Sequence, residues 1–452
     1  TFATIPENNF VTIDNNAWCR TLTVEPNATV VINQGDTLFT KDFSLETATN
    51  STSAGKLINQ GWLSSTNDQS IQNFAPINAF SSSSPPISNA SSGMFNASEE
   101  ELYRWDISSG DYQQISDNTS LLEVMRGYFY RNASNDTTVN FSGTINQGEQ
   151  SYNLEVNSDN TPYNHWNMAG NPFPAPVDWD HADWDKTNVA NSIYFHSENS
   201  GQPCAYVNGI TIPDACFDGI IPSMSSFWVY ADNNGPFSIG KNTQTTSRAD
   251  DTSPAKQTIE KGIRLTISNN SENYESLIRF DNSASLSFDK EYDAFHLNIP
   301  KIGDTISPGF YSIESDSLNL TINTIPDNSK FRIYLGYSIP SSDNYTINAE
   351  EFINYNSPLY LIDKENNSFT DLTENNYTFF SQEGINNNRF ALTSMEPYNL
   401  NEPIIIDHNS RILSDIPVSW IDSAKTKLHI GYGHTSHGSQ LATGMNALES
   451  FF

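Results

Sequence analysis

The chain has 452 residues, and 53 acidic against 22 basic side chains give it a net charge of −31. A chain this acidic repels phosphate backbones and anionic lipid surfaces, which argues against a protein that binds nucleic acid. Only 17% of the residues are charged, and much of the other polarity comes from Asn, Ser and Thr, which favour turns and exposed strand faces over helix interiors. The composition predicts an all-β, extracellular or cell-surface protein. The length predicts about three domains.

Short apolar triplets recur in the first 59 residues. "VTI" begins at Val11, "LTV" at Leu22, "VVI" at Val30 and "TLF" at Thr37, with Asn, Pro and Gly between them. Strands of three or four residues joined by tight turns are typical of β-solenoid coils. We therefore predict a short β-solenoid-like N-terminal ribbon over residues 1–59. The alternative is an edge ribbon on the next domain.

Two sets of alternating strands follow. "LYRWDI", "TTVNFSGTI", "SYNLEV" and "SFWVYA" alternate apolar and polar residues, which predicts a β-sandwich-like module over residues 60–245. Residues 246–258 carry Pro254 and lack large apolar side chains, so they are predicted to form a linker. From "KGIRLTIS" to "NRFALTS" the alternation resumes, which predicts a second β-sandwich over residues 259–397.

The stretch "WNMAGNPFPAPVDWD" cannot be a central strand, because its prolines fix φ and remove hydrogen-bond donors. We expect it to be a structural corner that closes one end of the first sandwich. One alternative is a carbohydrate-binding platform, in which Trp166, Trp179 and Trp184 stack on sugar rings. A second alternative is a cation site with hard oxygen ligands. Its candidate ligands are Asp178, Asp180, Asp183 and Asp185.

Three cysteines exclude a scaffold dense in disulfides. Cys204 and Cys216 lie close enough in sequence to join one hairpin-like excursion, so the sequence allows either a disulfide or two free thiols at these positions. Cys19 is expected to be a buried free thiol. The scattered histidines form no zinc pattern, and no metal or other cofactor is predicted.

No apolar run is long enough to insert into a membrane. The start at Thr1 is as expected after removal of a signal peptide.

Several motifs of the first module resemble those of Bacteroidota surface proteins that the type IX secretion system exports. "GNPFPAPVDW", Gly170 to Trp179, is similar to that family's "GNPYP" followed by an acid and Trp. "IIPSMSSFWV", from Ile220, is similar to its "IIPPMQGFWV", although Ser225 and Ser226 replace the family's Gln-Gly. "MRGYFYR", from Met125, resembles its "GKGYLVR" strand.

The second module continues the resemblance. "YDAFHL", from Tyr292, is close to the family's "YDAYKL", and "NNNRFALTS", from Asn386, resembles the end of its second module. The resemblance spans roughly residues 10–396 as a combination in order. It implies a stalk or spacer role with no catalytic residues to carry over.

The tail differs in character from the β modules. Residues 398–415 are predicted to be a linker, and residues 416–452 carry a strand, a Gly/His/Ser turn and a helix-like end, as at the start of an α/β domain. "YGHTSHGSQL" resembles the first catalytic block of SGNH-like hydrolases, which implies Ser436 as nucleophile, with His434 in the same motif. The partner His and Asp of such a site usually lie near the end of the domain, so we expect this segment to be inactive alone and the native chain to continue past Phe452. The alternatives are a polar turn with incidental histidines and an ordered linker docked on the second sandwich.

These observations favour an extracellular, adhesin-like stalk protein that spaces or displays another domain. One alternative is the carbohydrate-binding accessory region of a secreted ester hydrolase, and another is a filament subunit that assembles through sheet edges. The partners that fit these hypotheses are a polysaccharide, another surface protein or a second copy of the chain.

Overall fold

The computed structural model describes residues 1–48, 54–76, 80–95, 101–131, 138–157, 163–196, 201–246, 259–314, 318–327 and 330–395. Thr1–Pro397 forms one compact unit and Tyr398–Phe452 a second. The second unit, with the predicted α/β start, lies outside the described residues, as does nearly all of the predicted linker 246–258. The described chain consists of β-strands and two short 3-10 turns, Ser92–Phe95 and Lys241–Thr243, which confirms the all-β prediction.

The N-terminal segment is a parallel β-solenoid. Its strands are β1 Phe2–Ile5, β2 Phe10–Ile13, β3 Ala17–Trp18, β4 Thr21–Val24, β5 Thr29–Ile32, β6 Thr37–Thr40, β7 Asp42–Leu45, β8 Lys56–Asn59, β9 Trp62–Ser65 and β10 Gln69–Phe74. Three parallel sheets form its sides, with orders β1-β4-β7-β10, β2-β5-β8 and β3-β6-β9. The apolar triplets are therefore the sides of successive coils, as the sequence predicted.

Equivalent residues of successive coils stack into a continuous interior. Ile5, Val24 and Leu45 occupy one register position and are buried, because alternate residues of each strand point inward. The solenoid continues to Phe74, beyond residue 59 where the sequence placed its end. Strands β9 and β10 bring few apolar residues to the interior, so the pattern of apolar triplets ends before the solenoid does, and the sequence assigned these residues to the first module.

The first module follows the solenoid. Its strands are β11 Phe80–Ser83, β12 Leu102–Asp106, β13 Asp111–Gln114, β14 Tyr128–Arg131, β15 Thr138–Gly143, β16 Gln150–Leu154, β17 Trp166–Gly170, β18 Val177–Asp178, β19 Trp184–Asp185, β20 Ile193–Phe195, β21 Cys204–Val207, β22 Ile210–Ile212, β23 Ile220–Ile221, β24 Ser226–Tyr230 and β25 Gly235–Ile239. Antiparallel sheets of order β11-β14-β12-β13, β17-β24-β20-β21-β22 and β16-β25-β19 form its layers, with a small β18-β23 pair. Strand β15 instead pairs antiparallel with β10 of the solenoid.

The "GNPFP" segment is a buried corner that joins the first module to the solenoid. The Asn171 side-chain amide donates to the carbonyls of Ala175 and Pro222, and its oxygen accepts from the N–H of Phe173. The Pro174 carbonyl accepts a 3.1 Å hydrogen bond from the N–H of Leu57 in solenoid strand β8. The corner is therefore held by its own turn and by the solenoid.

The second module contains one large curled sheet. Its strands are β26 Gly262–Ser268, β27 Asn273–Phe280, β28 Ala294–Phe295, β29 Gly309–Ile313, β30 Asn319–Ile325, β31 Arg332–Ile339, β32 Asp343–Ile353, β33 Tyr360–Asp363, β34 Ser368–Asp371, β35 Tyr377–Ser381 and β36 Gly384–Thr393. The order is β34-β33-β36-β31-β29-β30-β27-β26-β32-β35, and β28 also pairs with β30. Among these pairs, β27 and β30 run parallel and the others run antiparallel.

Strands near the two ends of this sheet contact each other, so the sheet curls back on itself. Tyr377 on β35 donates a 2.7 Å hydrogen bond to the carboxylate of Asp363 on β33. Arg389 on β36 forms a 2.8 Å ion pair with the same carboxylate, and both partners are buried. Hydrogen bonding by Arg389 and Tyr377 outweighs burial and keeps the pKa of Asp363 below its ordinary value. The sandwich predicted for this region is thus one nearly closed sheet.

An apolar core, here called the junction core, connects the two modules. It consists of buried residues of both: Trp105, Ile107, Trp166, Met168, Tyr194, Ala205, Val207, Ile210, Ile212 and Trp228 from the first, and Leu277, Ala294, Phe295, Leu297, Ile299, Leu320 and Ile322 from the second. At its centre the Tyr194 hydroxyl accepts a 2.7 Å hydrogen bond from the backbone N–H of Phe295. The modules therefore share one continuous interior.

Candidate functional site

The three tryptophans of the predicted carbohydrate platform are buried. Trp166 is 2% exposed, Trp179 0% and Trp184 7%. The indole N–H of Trp179 donates to the Asn191 carbonyl at 2.9 Å, and that of Trp184 donates to the Asp178 carbonyl at 2.8 Å. The platform prediction is wrong, because an indole whose faces pack in the core and whose N–H is satisfied cannot stack on a sugar.

The other residues singled out by the sequence fall into separate places. Cys204 and Cys216 form a disulfide with a Cα–Cα distance of 5.8 Å, whereas Cys19 is a half-buried free thiol packed against the solenoid interior. Ser436 and His434 lie outside the described residues, so the hydrolase motif stays a prediction. Within the described ranges, no group of three or more His, Cys, Asp or Glu could hold a metal ion, the aspartates near the corner included.

The disulfide loop docks on the second module. The N–H of Asp214, inside the loop, donates to the Glu275 carboxylate on β27 at 3.1 Å. Arg264 on β26 lies 3.0 Å from the Glu275 carboxylate and 3.5 Å from the Asp214 carboxylate. Gln202 makes hydrogen bonds to both the N–H and the carbonyl of Glu275. The covalent link therefore shapes a loop that contributes to the contact between the modules.

A cleft of about 300 Å³ opens at the rim of the junction core. It is lined by Tyr103, Trp105, Gly110, Asp111, Tyr112 and Tyr163 of the first module and by Pro300, Lys301, Ile302, Gly303 and Asp304 of the second. We call it the junction cleft. One wall is the β12–β13 hairpin and the opposite wall is the loop that follows Ile299, so both modules are needed to form it.

Edge-to-face ring contacts fix the aromatic wall of the junction cleft. The ring of Trp105 lies 5.3 Å from that of Tyr112 and 5.9 Å from that of Tyr163, at steep interplanar angles. Such contacts add to the energy of burial and set the rings in place. Gly110 permits the close approach of Tyr163, because it has a φ of +64° and a Cβ there would lie 3.1 Å from the ring. The Tyr112 hydroxyl donates a 3.2 Å hydrogen bond to the Pro300 carbonyl across the cleft.

The junction cleft offers both donors and acceptors to a ligand. Burial raises the pKa of Tyr112 and of Tyr163, in each case reinforced by the nearby charge of Asp111, so both phenols keep their protons. Burial, together with the positive charge of Lys301, lowers the pKa of His196 to about 3, so this ring behind the wall is neutral. The Trp105 indole N–H is buried and has no hydrogen-bond partner in the described part of the chain.

The sequence analysis missed this site. Tyr103, Trp105 and Tyr112 lie in the hairpin "LYRWDISSGDYQQI", whose closely spaced aromatic residues were a usable signal. Tyr163 and the 300–304 loop lie far away in sequence, and nothing local joins them to the hairpin. The sequence instead indicated the tryptophan-rich corner as a possible platform, since residue type alone does not distinguish a buried indole from an exposed one.

Comparisons with known proteins identify the family of this chain. Within the residues that the structure describes, no helix has the length and apolar character needed to cross a membrane. No curated protein and no solved structure is detectably similar to the chain. A family described as a domain of unknown function, DUF8693, matches residues 1–211 and 207–393. Because these two matches cover most of its length, the chain belongs to the DUF8693 family.

Proposed function

We propose that this protein is an extracellular surface protein of adhesin-like type, and that its β modules act as a rigid spacer that holds another domain or binding site away from the cell. The observation that carries the proposal is the junction core, in which large side chains of both modules are buried together. Domains of one chain are expected to move relative to each other unless their interface is large and apolar. This interface meets that condition.

The contact between the solenoid and the first module supports the same proposal. Strands β10 and β15 pair from Gln69–Gly143 to Phe74–Thr138, so a backbone ladder runs from one to the other. Val31 and Ile58, on the outer face of the solenoid, are buried against Ala175 of the corner. A spacer transmits position only if no joint along it bends, and neither joint here depends on a flexible tether.

Chemistry supports the extracellular location. Disulfides form and persist in oxidising compartments, and the Cys204–Cys216 bond is a structural one that shapes a docked loop. A net charge of −31 keeps the chain away from anionic surfaces. Both properties suit a protein displayed outside the cell.

Distances between spin labels test the spacer proposal. In a Cys19→Ser background, nitroxides at Glu7→Cys and Glu149→Cys report on the solenoid joint, and labels at Glu149→Cys and Glu374→Cys report on the module joint. The control pair, Lys290→Cys and Glu374→Cys, lies within the second module. We expect both joint pairs to give single distance distributions as narrow as the control. A broad or two-peaked distribution for either joint pair would show a hinge and refute the spacer role.

Self-association is a second candidate function, favoured by the first solenoid coil. In the described residues β1, β2 and β3 each pair on one side alone, and Phe2, Phe10 and Trp18 are exposed there. Unpaired edges with apolar side chains accept further strands. We expect the protein to form dimers or filaments in sedimentation experiments at high concentration, and Phe10→Lys to prevent this. A wild-type protein that stays monomeric throughout would exclude this function.

A further inference from the structure

We propose that the junction cleft binds one uncharged sugar unit of a neutral polysaccharide or glycan. The site is formed by the aromatic hairpin wall of the first module and the 300–304 loop of the second. This site is distinct from the tryptophans of the corner. The proposal does not depend on the spacer role.

The size and shape of the junction cleft fit a single ring. Its volume, about 300 Å³, is at the lower end of the range for sites that hold small molecules. The half-buried rings of Tyr112 and Tyr163 meet the buried ring of Trp105 edge to face, so the two tyrosines present ring surfaces in more than one direction. A pyranose has flat patches of C–H groups that pack on such surfaces, whereas an extended peptide needs a longer groove.

The polar groups of the junction cleft fit hydroxyl groups. Lys301 brings a donor, and Asp111 and Asp304 bring acceptors, around an aromatic wall. A sugar hydroxyl both donates and accepts, so a ring of hydroxyls uses a mixed set of this kind. The buried indole N–H of Trp105 lacks an acceptor among the described residues, and an unsatisfied buried donor has an energetic cost. A hydroxyl or a water that enters beside Trp105 would relieve that cost.

The charges in and around the junction cleft favour an uncharged ligand. Lys301 in the lining opposes a cation, and the carboxylates of Asp111 and Asp304 oppose an anion at the same place. The chain as a whole carries −31, so it repels polyanions such as uronate polymers or nucleic acids at long range. A quaternary ammonium in an aromatic cage is the closest rival, because rings and carboxylates also suit a cation. Lys301 is the residue that argues against it.

Binding should stabilise the joint between the modules. Tyr163 belongs to the first module and Asp304 to the second, so a ligand that touches both is bound fully only when the modules are docked. Any ligand that binds the folded, docked state alone raises its stability by mass action. This coupling gives a second readout of binding, a rise in the melting temperature of the protein.

Calorimetric titration of the whole chain tests the proposal. The probes are cellotetraose, xylotetraose, mannotetraose and maltotetraose as neutral sugars, tetragalacturonate as an acidic sugar, and tetramethylammonium as a cation. We expect saturable binding of at least one neutral tetrasaccharide, with a rise in melting temperature, and at least tenfold weaker binding of the acidic sugar and the cation. Binding of no neutral probe, or tighter binding of tetramethylammonium, would overturn the proposal.

Matched variants locate the binding site. Tyr163→Ala removes a half-buried ring that packs edge-on against Trp105, and Tyr360→Ala removes a half-buried ring that packs edge-on against Phe369 outside the cleft. We expect Tyr163→Ala to weaken binding at least tenfold and Tyr360→Ala to leave it unchanged. Equal losses in both variants would overturn the assignment.

A second pair avoids any effect on folding. Asp304 and Asp68 are both exposed aspartates, and of the two only Asp304 lines the junction cleft. Asp304→Ala should weaken binding several-fold, and Asp68→Ala should not change it. Neutral-sugar binding that survives both Asp304→Ala and Tyr163→Ala would place the ligand elsewhere. The spin-label distances would be unaffected by that result, so failure of the sugar site and failure of the spacer are distinguishable.

Discussion

The two joints of the molecule are built from different kinds of contact. At the solenoid joint, strands β10 and β15 form a backbone ladder, and the N–H of Leu57 donates to the carbonyl of Pro174. At the module joint, side chains such as Tyr194 and Gln202 bond to backbone groups of the other module around an aromatic core. Both joints also contain a shared apolar core. A backbone ladder does not depend on the identity of single side chains, so point mutations should weaken the module joint more readily than the solenoid joint.

Removal of the Phe295 ring should have the largest effect on the module joint. Phe295 is buried, and its ring lies 4.1 Å from that of Tyr230 and 4.3 Å from that of Phe288. A cavity of this kind costs about 3–5 kcal/mol. We expect Phe295→Ala to separate one calorimetric unfolding transition into two, while the exposed Phe369→Ala leaves one. A single, unshifted transition in Phe295→Ala would show that the ring does not couple the modules.

Loss of the disulfide should weaken the same joint by a comparable amount. Cys204 and Cys216 are 12 residues apart, and closing a loop of similar length stabilises a fold by about 3 kcal/mol. The double variant Cys204→Ser/Cys216→Ser should lose about that much stability in urea unfolding and loosen the loop that contacts Glu275. Cys19→Ser is the control and should unfold like the wild type. Equal midpoints for all three proteins would contradict this expectation.

Acid should destabilise the second module through a buried neutral histidine. Burial lowers the pKa of His296 from 6.5 to about 4, so between these pH values the unfolded chain binds a proton that the folded chain does not. Its contribution is complete above pH 6.5 and is lost as the pH falls towards 4, about 2–3 kcal/mol over this window. Burial raises the pKa of nearby Asp293 to about 7, which works in the opposite direction: that contribution is complete below pH 3.8 and is lost as the pH rises to 7.

The His296 effect is therefore measured as a difference between two proteins. His296→Gln removes the titrating ring and leaves Asp293 and the other carboxyl groups in place. The stability of the wild type minus that of His296→Gln should rise by about 2–3 kcal/mol from pH 4 to pH 6.5, since one shifted group accounts for it. A difference that does not change with pH would mean that folding does not shift the pKa of His296.

The smallest effect is expected from a single hydroxyl group. Tyr194→Phe leaves the buried N–H of Phe295 without its acceptor, which should cost about 1–2 kcal/mol. Tyr377→Phe removes a hydroxyl that bonds to Asp363 within the second module and serves as the comparison. Both variants should lower the melting temperature, but only Tyr194→Phe should broaden the spin-label distances across the module joint. Unchanged distances would assign the coupling to ring packing alone.

Local sequence patterns predicted the strands well, because strands and coils are encoded by neighbours in sequence. The triplets from Val11 to Phe39 indicated the solenoid, and their parallel stacking follows from residues such as Ile5 and Val24 in equivalent positions. The disulfide was one of two readings of a short, loop-like spacing. Each of these features depends on contacts between residues that are close in the chain or repeat at a fixed interval.

The junction core and the junction cleft could not be predicted in this way. Trp105 and Phe295 belong to one core although they are far apart in sequence, and neither has a neighbour that signals the other. The burial of Trp166 follows from its ring contacts with Tyr194 and Tyr230, which the "GNPFP" motif does not encode. Long-range packing thus decided which aromatic residues are accessible and which are not.

The coil-by-coil pairing of the solenoid has a mechanical consequence for a protein under load. Its inter-strand hydrogen bonds run along the solenoid axis and join each coil to the next, so a pull on the N-terminal end loads the first coil before the coils that also contact the first module. Phe2 and its partner Thr21 are 19 residues apart. Release of one such coil would lengthen the chain by about 65 Å at full extension. The solenoid would then yield in steps and limit the peak force that reaches the stiffer modules behind it.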